Sequence, residues 1–545
     1  MDSKQPRLFF HNRLPRLLFV IYYKKITTAY RFCRCAVLDK RILIVYNDTE
    51  VIVIKKKLFI LIILMILLVS CSSPETSDSP AESTVSGVSD AGTADDIQTP
   101  AITERPALDI PIFDYESYIF KTLSYQQGTP GSWGQYLDFG WSTDSAGDLI
   151  NDAVYMRNLI VEERYNIRIE NTPVADAYTT ARNIILAGSD DYDIVSPYID
   201  ASFKLAQDNL LIDFFTIPYI SLDQSWWDQA IIRDLAINNK IYTMTGDISM
   251  NDEELNYGVF FNKALISEYS LDDPYQVVRD DKWNLDTMTA MGRQVTHDLN
   301  GDSFVDEHDV YGVLTDYGVA PVWYFGLGAQ MAQLDHNGVP ELRMNDERTL
   351  NVIEKLSTFL NNSEVVLNVS QTVGSWAGFD DMLMSDRALF RAGSIYDIQF
   401  YRAMVNDFGI LPHPKLDEMQ EDFFHIIATQ VCYGVCVPTT ATDLDRTGII
   451  LEALAYESKD TVTKAYYDIN LYTKVARDNE SGEMFDIIFS TKRYDLCKAF
   501  GWGGMEDVIR NASKDSSQFA SLYAAAESKA LAEIQQTYEF FSEQN

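Results

Sequence analysis

The stretch His297 to Gly312, HDLNGDSFVDEHDVYG, concentrates the most chemistry in the fewest residues. Asp298, Asn300, Asp302, Phe304, Asp306 and Asp309 stand at positions 1, 3, 5, 7, 9 and 12 of an EF-hand-type loop. Calcium takes six to eight hard oxygens, and this spacing wraps the chain so that side chains and the Phe304 carbonyl converge. Ser303 replaces the usual turn glycine, and Asp309 replaces the usual bidentate glutamate. The pattern predicts a structural Ca²⁺ that orders a long connection. A solvated acidic turn would account for the same residues.

Other reactive patterns are missing from the sequence. There is no HExxH, no GxSxG and no phosphate-binding P-loop. Acidic pairs such as Asp380-Asp381 recur too often in an acidic chain to single out a catalytic dyad. Cys432 and Cys436 lie in VCYGVCVP, where a strand places them on one face about 13 Å apart. That is too far for a disulfide, and no histidine stands nearby to complete a zinc site. They are expected to be buried thiols.

The elements that would position such residues begin late in the chain. Lys55 to Cys71 reads KKKLFILIILMILLVSC, with an apolar run from Leu58 to Val69. The run is about half the roughly 20 residues a spanning helix needs. It resembles the signal peptide and lipobox of a bacterial lipoprotein. The resemblance implies lipidation of Cys71 and a protein tethered to the extracellular face of the cell membrane. Residues 1–54 are basic and without periodicity, and are expected to reflect a start codon placed too early. Residues 72–108 are rich in Ser, Thr, Asp, Ala and Pro, and are expected to be a disordered tether.

The first 70 residues carry 13 basic and 4 acidic side chains, so the remainder has a net charge of −45 against −36 for the whole chain. A field of that sign repels phosphate backbones and anionic lipid, which excludes nucleic acid as a partner. The residues beyond the tether are too many for one ordinary core, so two lobes are expected.

Within them, Asp148 to Tyr165 places Leu149, Ala153, Met156, Leu159, Ile160 and Tyr165 at helical spacing. A short strand Ile167–Glu170, a helix from Ala175 to Gly188 and a strand Tyr192–Val195 follow. This β-α-β rhythm predicts an open, largely parallel sheet. Ligands bind beyond the carboxyl ends of such strands, which points to Tyr198 and Asp200. At the other end of the chain, Phe519-Leu522-Tyr523-Ala526 and Ala530-Ile534-Thr537-Phe540-Phe541 predict an amphipathic helix used for packing.

Several segments in order resemble the extracellular solute-binding proteins of ABC importers, in the carbohydrate-binding group related to maltose-binding protein. They are YDIVSPYIDASFKLAQDNLLIDF (192–214), NNKIYTMTGDISM (238–250), YGVFFNKALISEYSLDDP (257–274), KWNLDTM (282–288), ALFRAGSIYDI (388–398), GILPHPKLDE (409–418) and YGVCVPTTATDLDRTGIILEAL (433–454). Asn239 stands where glycine is common, Phe261 where tyrosine is usual, and the second tryptophan of the 282–288 motif is absent. The resemblance implies an α/β, type II periplasmic-binding-protein-like fold of two lobes. Each lobe would be a mixed, mostly parallel sheet flanked by helices, with hinge strands between. Lobe 1 would comprise 109–252 and 436–475, and lobe 2 would comprise 253–435 and 476–545.

The implied ligand is a carbohydrate, and the implied partners are ABC permease subunits. Sugar faces need aromatic platforms and sugar hydroxyls need placed polar groups. The candidates are Tyr198, Asp200, Trp227 of the Trp226-Trp227 pair, Asp247, Trp323, Trp376 and Tyr396. Any of the aromatics could instead be ordinary core. A lipid-anchored glycoside hydrolase, or a peptide-binding or sensory receptor, are the competing readings; no catalytic residues are expected in the leading one.

Overall fold

The computed structural model describes residues 106–126, 138–141, 145–369, 376–467 and 480–543. Residues 1–54, the segment ending at Cys71 and tether positions 72–105 lie outside them.

The first sheet is built from β1 (Tyr118–Tyr125), β2 (Ile167–Val174) and β3 (Ile194–Val195) in the order β2-β1-β3. Both pairings are parallel, as the β-α-β rhythm predicted. The central strand β1 buries Phe120 and Leu123 completely. The segment 433–438 extends this sheet through antiparallel bridges of Cys436 to Val195 and Tyr433 to Tyr198.

The helix Leu149–Tyr165 starts at Asp148, whose carboxylate accepts from the Ile150 and Asn151 amides. Its buried stripe is Ile150, Val154, Arg157, Asn158, Val161 and Tyr165, one step round from the face expected. Leu149 and Met156 are exposed instead. Polar groups decide the rotation. The Arg157 guanidinium donates to the carbonyl of Asp138, and the Asn158 amide to that of Phe139 at 2.9 Å. A buried polar group with its partners supplied costs little, so the helix can turn a mixed face inward.

The second sheet contains β4 (Tyr257–Asn262) and β5 (Tyr311–Thr315). After a hairpin of β6 (Ala332–Leu334) and β7 (Pro340–Leu342) come β8 (Val366–Asn368), β9 (Ala388–Ser394) and β10 (Phe408–Leu411). The order is β10-β4-β9-β5-β8, with β5 parallel to β8 and β9, and β4 antiparallel to β9 and β10. A short parallel pair of β11 (His425–Ile426) and β12 (Lys492–Arg493) joins distant stretches of chain.

Residues 480–543, expected with the second lobe, touch both halves. The helix Glu480–Ser490 packs on β10, whereas Leu496–Phe500 packs on the helix Ile199–Gln207. The long helix Phe519–Glu543 has the buried face the sequence predicted, including Phe519, Tyr523, Ala530, Ile534, Thr537 and Phe541. The Phe541 carbonyl accepts from Lys240 Nζ at 2.6 Å. Cys432 and Cys436 are free and buried, as expected, Cys497 is also free and buried, and burial pushes the Cys436 thiol up to about 11. Among the described residues, no helix is long and apolar enough to cross a membrane.

One buried acid sits inside the first half. Glu452, on the helix Leu444–Ser458, accepts from Trp226 Nε1 at 3.1 Å, Trp227 Nε1 at 2.8 Å and the Ser221 amide at 3.3 Å. Burial outweighs these donors and raises its pKa from 4.5 to about 7. Folding therefore takes up a proton between these values, so this contribution falls as pH rises from about 4.5 through 7. A shift of that size corresponds to about 3 kcal/mol. The protein is expected to melt at higher temperature at pH 5 than at pH 8, and Glu452→Gln should narrow that difference. An unchanged difference in the variant, measured by calorimetry at both pH values, would remove Glu452 as its source.

Candidate functional site

A cavity of about 610 Å³ opens beside the second sheet. One wall is the helix Trp376–Met384, which presents Trp376, Ala377, Asp380, Asp381 and Met384, residues one turn apart on a common face. The floor is β9 from Arg391 to Ser394, continued by Asp397 and Phe400 in the turns that follow. Leu255 and Tyr257 enter from the chain leading into β4, and Gln430 and Val431 from the segment returning toward the first sheet.

Arg391 is the organising residue. It lies in the middle of a strand whose residues are all buried, and its side chain is 3% exposed. A guanidinium there must be paired. Nη2 meets Asp380 Oδ1 at 3.0 Å and Nη1 meets Asp397 Oδ2 at 2.5 Å. Asp380 Oδ1 also accepts from the Tyr401 hydroxyl at 2.7 Å, and Asp397 Oδ2 from the Ser394 amide at 3.1 Å. The guanidinium lies 5.2 Å from the Trp376 ring centre, within cation–π range. Burial works against the Arg391 charge, but Asp397, Tyr401 and Asp380 together raise its pKa. Burial raises that of Asp380 although Arg391 opposes it.

Gly393 makes the pairing possible. A Cβ at this position would fall 1.6 Å from Arg391 Nη1 and 2.5 Å from Asp397 Oδ2. Only a residue without a side chain lets the guanidinium fold back over the strand.

Of the sequence-predicted ligand residues, Trp376 lines the cavity. Tyr396 adjoins it, half-buried and edge-on to Phe400 with ring centres 6.0 Å apart. Tyr198 and Asp200 stand on the far side of segment 429–433. The Ile199 amide donates to the Cys432 carbonyl and the Asp200 amide to that of Thr429, while Gln430 and Val431 face the cavity. Tyr198 stacks on Tyr125 at 4.2 Å, and Asp200 pairs with Lys204 at 3.1 Å. Burial and Asp200 push the Tyr198 hydroxyl up to about 12.

Trp227 and Trp323 are core residues, contrary to expectation. Trp227 is anchored to Glu452, and Trp323, fully buried, donates to Thr315 Oγ1 at 2.8 Å between Phe359 and His413. A buried indole whose N–H is satisfied inside is spent on packing. Asp247 accepts from Thr463 Oγ1 at 2.9 Å, and burial lifts its pKa to about 6. Arg391, Asp380, Met384 and Phe400 were not singled out. The signal for Arg391 was a lone cation inside the apolar run ALFRAGS.

In the loop 298–309 the acidic side chains turn onto the loop's own backbone. Asp298 accepts from Gly301 and Ser303, Asn300 from Asp302, Asp302 from Phe304, and Asp309 from Leu299 and Asp306. Ser303 adopts φ 72°, the left-handed turn that position 6 demands. Burial raises the Asp309 pKa, but the amides of Asp306, Leu299 and Asn300 overcome it and hold it low. Among the described residues, no three His, Cys, Asp or Glu side chains converge as a metal-ion site.

Replacing Arg391 by Met would leave Asp380 and Asp397 buried without their cation, at a cost of about 3–5 kcal/mol. Arg391→Met should therefore lower the denaturation midpoint strongly, and the triple change with Asp380→Asn and Asp397→Asn should recover part of the loss. Urea unfolding of both variants checks this, and a midpoint unmoved in Arg391→Met would contradict the pairing.

No protein-family model matches the chain, and no curated protein matches it. Solved structures do. The cyclic α-maltosyl-1,6-maltose binding protein of Arthrobacter globiformis is 13% identical over 77% of this chain and 99% of its own, with a TM-score of 0.51. A sugar transporter of Rhizobium etli in an open conformation is 13% identical over 79% of this chain and 100% of its own, TM-score 0.51. UspC of M. tuberculosis is 13% identical over 76% of this chain and 100% of its own, TM-score 0.51. The chain has the type II periplasmic-binding-protein-like α/β fold.

Proposed function

We propose that the chain is the substrate-binding component of an ABC importer, capturing an oligosaccharide and passing it to permease subunits. The observation that carries this reading is the cavity itself. Aromatic surface from Trp376 and Phe400 stands beside Asp380, Asp381, Asp397 and Gln430, which is the pairing of ring faces and hydroxyl partners that a sugar requires. Two of the similar structures bear sugar binding or sugar transport in their names. The reading includes lipidation at Cys71, attachment to the extracellular face of the membrane, and no enzymatic activity.

Hydrolysis is the less favoured alternative. A glycoside hydrolase needs one carboxylic acid and one carboxylate facing the scissile bond from two sides. Here Asp380 and Asp397 both close on the same guanidinium.

A thermal-shift panel of mono- and oligosaccharides tests the reading. Ligand at about 100 times its Kd stabilises the native state by roughly 2.7 kcal/mol. Trp376→Ala should weaken the binding of any hit by about tenfold or more, as loss of a buried aromatic anchor does. A panel without a shift, or a hit unaffected by the variant, would count against this site. Sugar consumed during the assay would favour the hydrolase.

We further propose that the loop 298–309 takes a structural Ca²⁺, with Asp298, Asn300, Asp302, Asp306, Asp309 and the Phe304 carbonyl as ligands. Millimolar Ca²⁺ should raise the melting temperature above that in EDTA. The double variant Asp302→Ala, Asp306→Ala should lose that rise, and a wild type indifferent to Ca²⁺ would overturn the assignment.

A further inference from the structure

The charge on the cavity wall narrows the ligand class. Its lining includes three carboxylates, Asp380, Asp381 and Asp397, against one cation, Arg391. The cation is consumed inside the wall, since both Asp380 and Asp397 hold it and its side chain is almost wholly buried. No other Lys or Arg lines the cavity among the described residues. Among the described residues the wall therefore carries a formal net charge of −2, with no further basic group to receive an anionic ligand.

Asp381 is the carboxylate left to a ligand. It is exposed on the helix Trp376–Met384, one residue past the paired Asp380. No donor among the described residues reaches its carboxylate, whereas Asp380 and Asp397 are each held by two. Its place one turn beyond Ala377 and next to Met384 sets it beside the same aromatic wall that a sugar ring would cover. The chain as a whole, at −36, adds a long-range field of the same sign.

We propose that this site selects neutral and amino-bearing oligosaccharides and rejects uronate, sulfated or phosphorylated ones, with Asp381 as the specificity-determining residue. The mechanism is electrostatic. A ligand ammonium would pair with Asp381, a neutral hydroxyl would donate to it, and a ligand carboxylate or sulfate would meet like charge with no counter-ion. The inference rests on the carbohydrate reading of this cavity.

The test is isothermal titration of the full mature protein with matched trisaccharides in α-1,4 and β-1,4 linkage, each as the neutral, amino and uronate form. The expected order is amino at least equal to neutral, with uronate weaker than neutral by about tenfold or more at low salt. The amino–neutral difference should shrink as ionic strength rises. Asp381→Asn, a change at an exposed position, should weaken amino binding by about fivefold more than it weakens neutral binding. Uronate binding as tight as neutral, or an amino preference intact in Asp381→Asn, would overturn the charge selection while leaving the carbohydrate reading in place. No binding by any member, with the fold intact by circular dichroism, would overturn both.

Discussion

The structure depends on one buried ammonium. Lys492 Nζ lies 3.1 Å from Asp228, 2.6 Å from Asp252 and 3.4 Å from Glu253. These groups come from three stretches far apart in sequence, and the hydroxyl of Tyr494 adds a donor to Asp228 at 2.8 Å. Three carboxylates around one cation leave excess negative charge in a dry place, which is costly unless a proton is retained. Burial and the adjacent Glu253 push the Asp252 pKa well up. Burial also raises Asp228, but Lys492 and Tyr494 prevail and leave it low. The cluster is held at the point where the chain passes from the first sheet toward β4.

That location ties the core to the cavity. Leu255 and Tyr257 follow Asp252 and Glu253 within a few residues and line the cavity. Another passage, at 429–433, carries Gln430 and Val431 on the cavity side and hydrogen-bonds the start of the helix Ile199–Gln207 on the other. These two passages between the sheets therefore contribute wall. A ligand filling the cavity would therefore touch two of the segments that connect the sheets.

Much of the fold was legible because it rests on periodicity. The helix Leu149–Tyr165, the parallel order of β2 and β3, and the packing face of Phe519–Glu543 follow from apolar spacing. The central strand β1 was not read, since YIFKTLSY mixes Lys, Thr and Ser into a run whose burial comes from its two neighbours. The same limit misplaced the face of Leu149–Tyr165, where Arg157 and Asn158 are buried because carbonyls 19 residues earlier in the chain accept from them. At the site, Trp376 was legible by residue type and by its glycine-bounded setting. Trp227 and Trp323 were not distinguishable from it, because an indole's fate depends on whether Glu452 or Thr315 reaches its N–H, and those contacts are non-local.

The Arg391 group shows why composition misleads in an acidic chain. Asp380-Asp381 looked uninformative among 80 acidic residues, yet the two neighbours have opposite roles. Asp380 faces the strand and pairs with a buried cation, while Asp381 stands exposed at the surface. The difference arises from helix geometry, which turns successive residues about 100° apart. Gly393 then fixes which carboxylates can share the guanidinium, since any side chain there would displace it. The cavity wall is therefore built on a scaffold in which two carboxylates share one buried cation, and Asp381 is a carboxylate outside that scaffold.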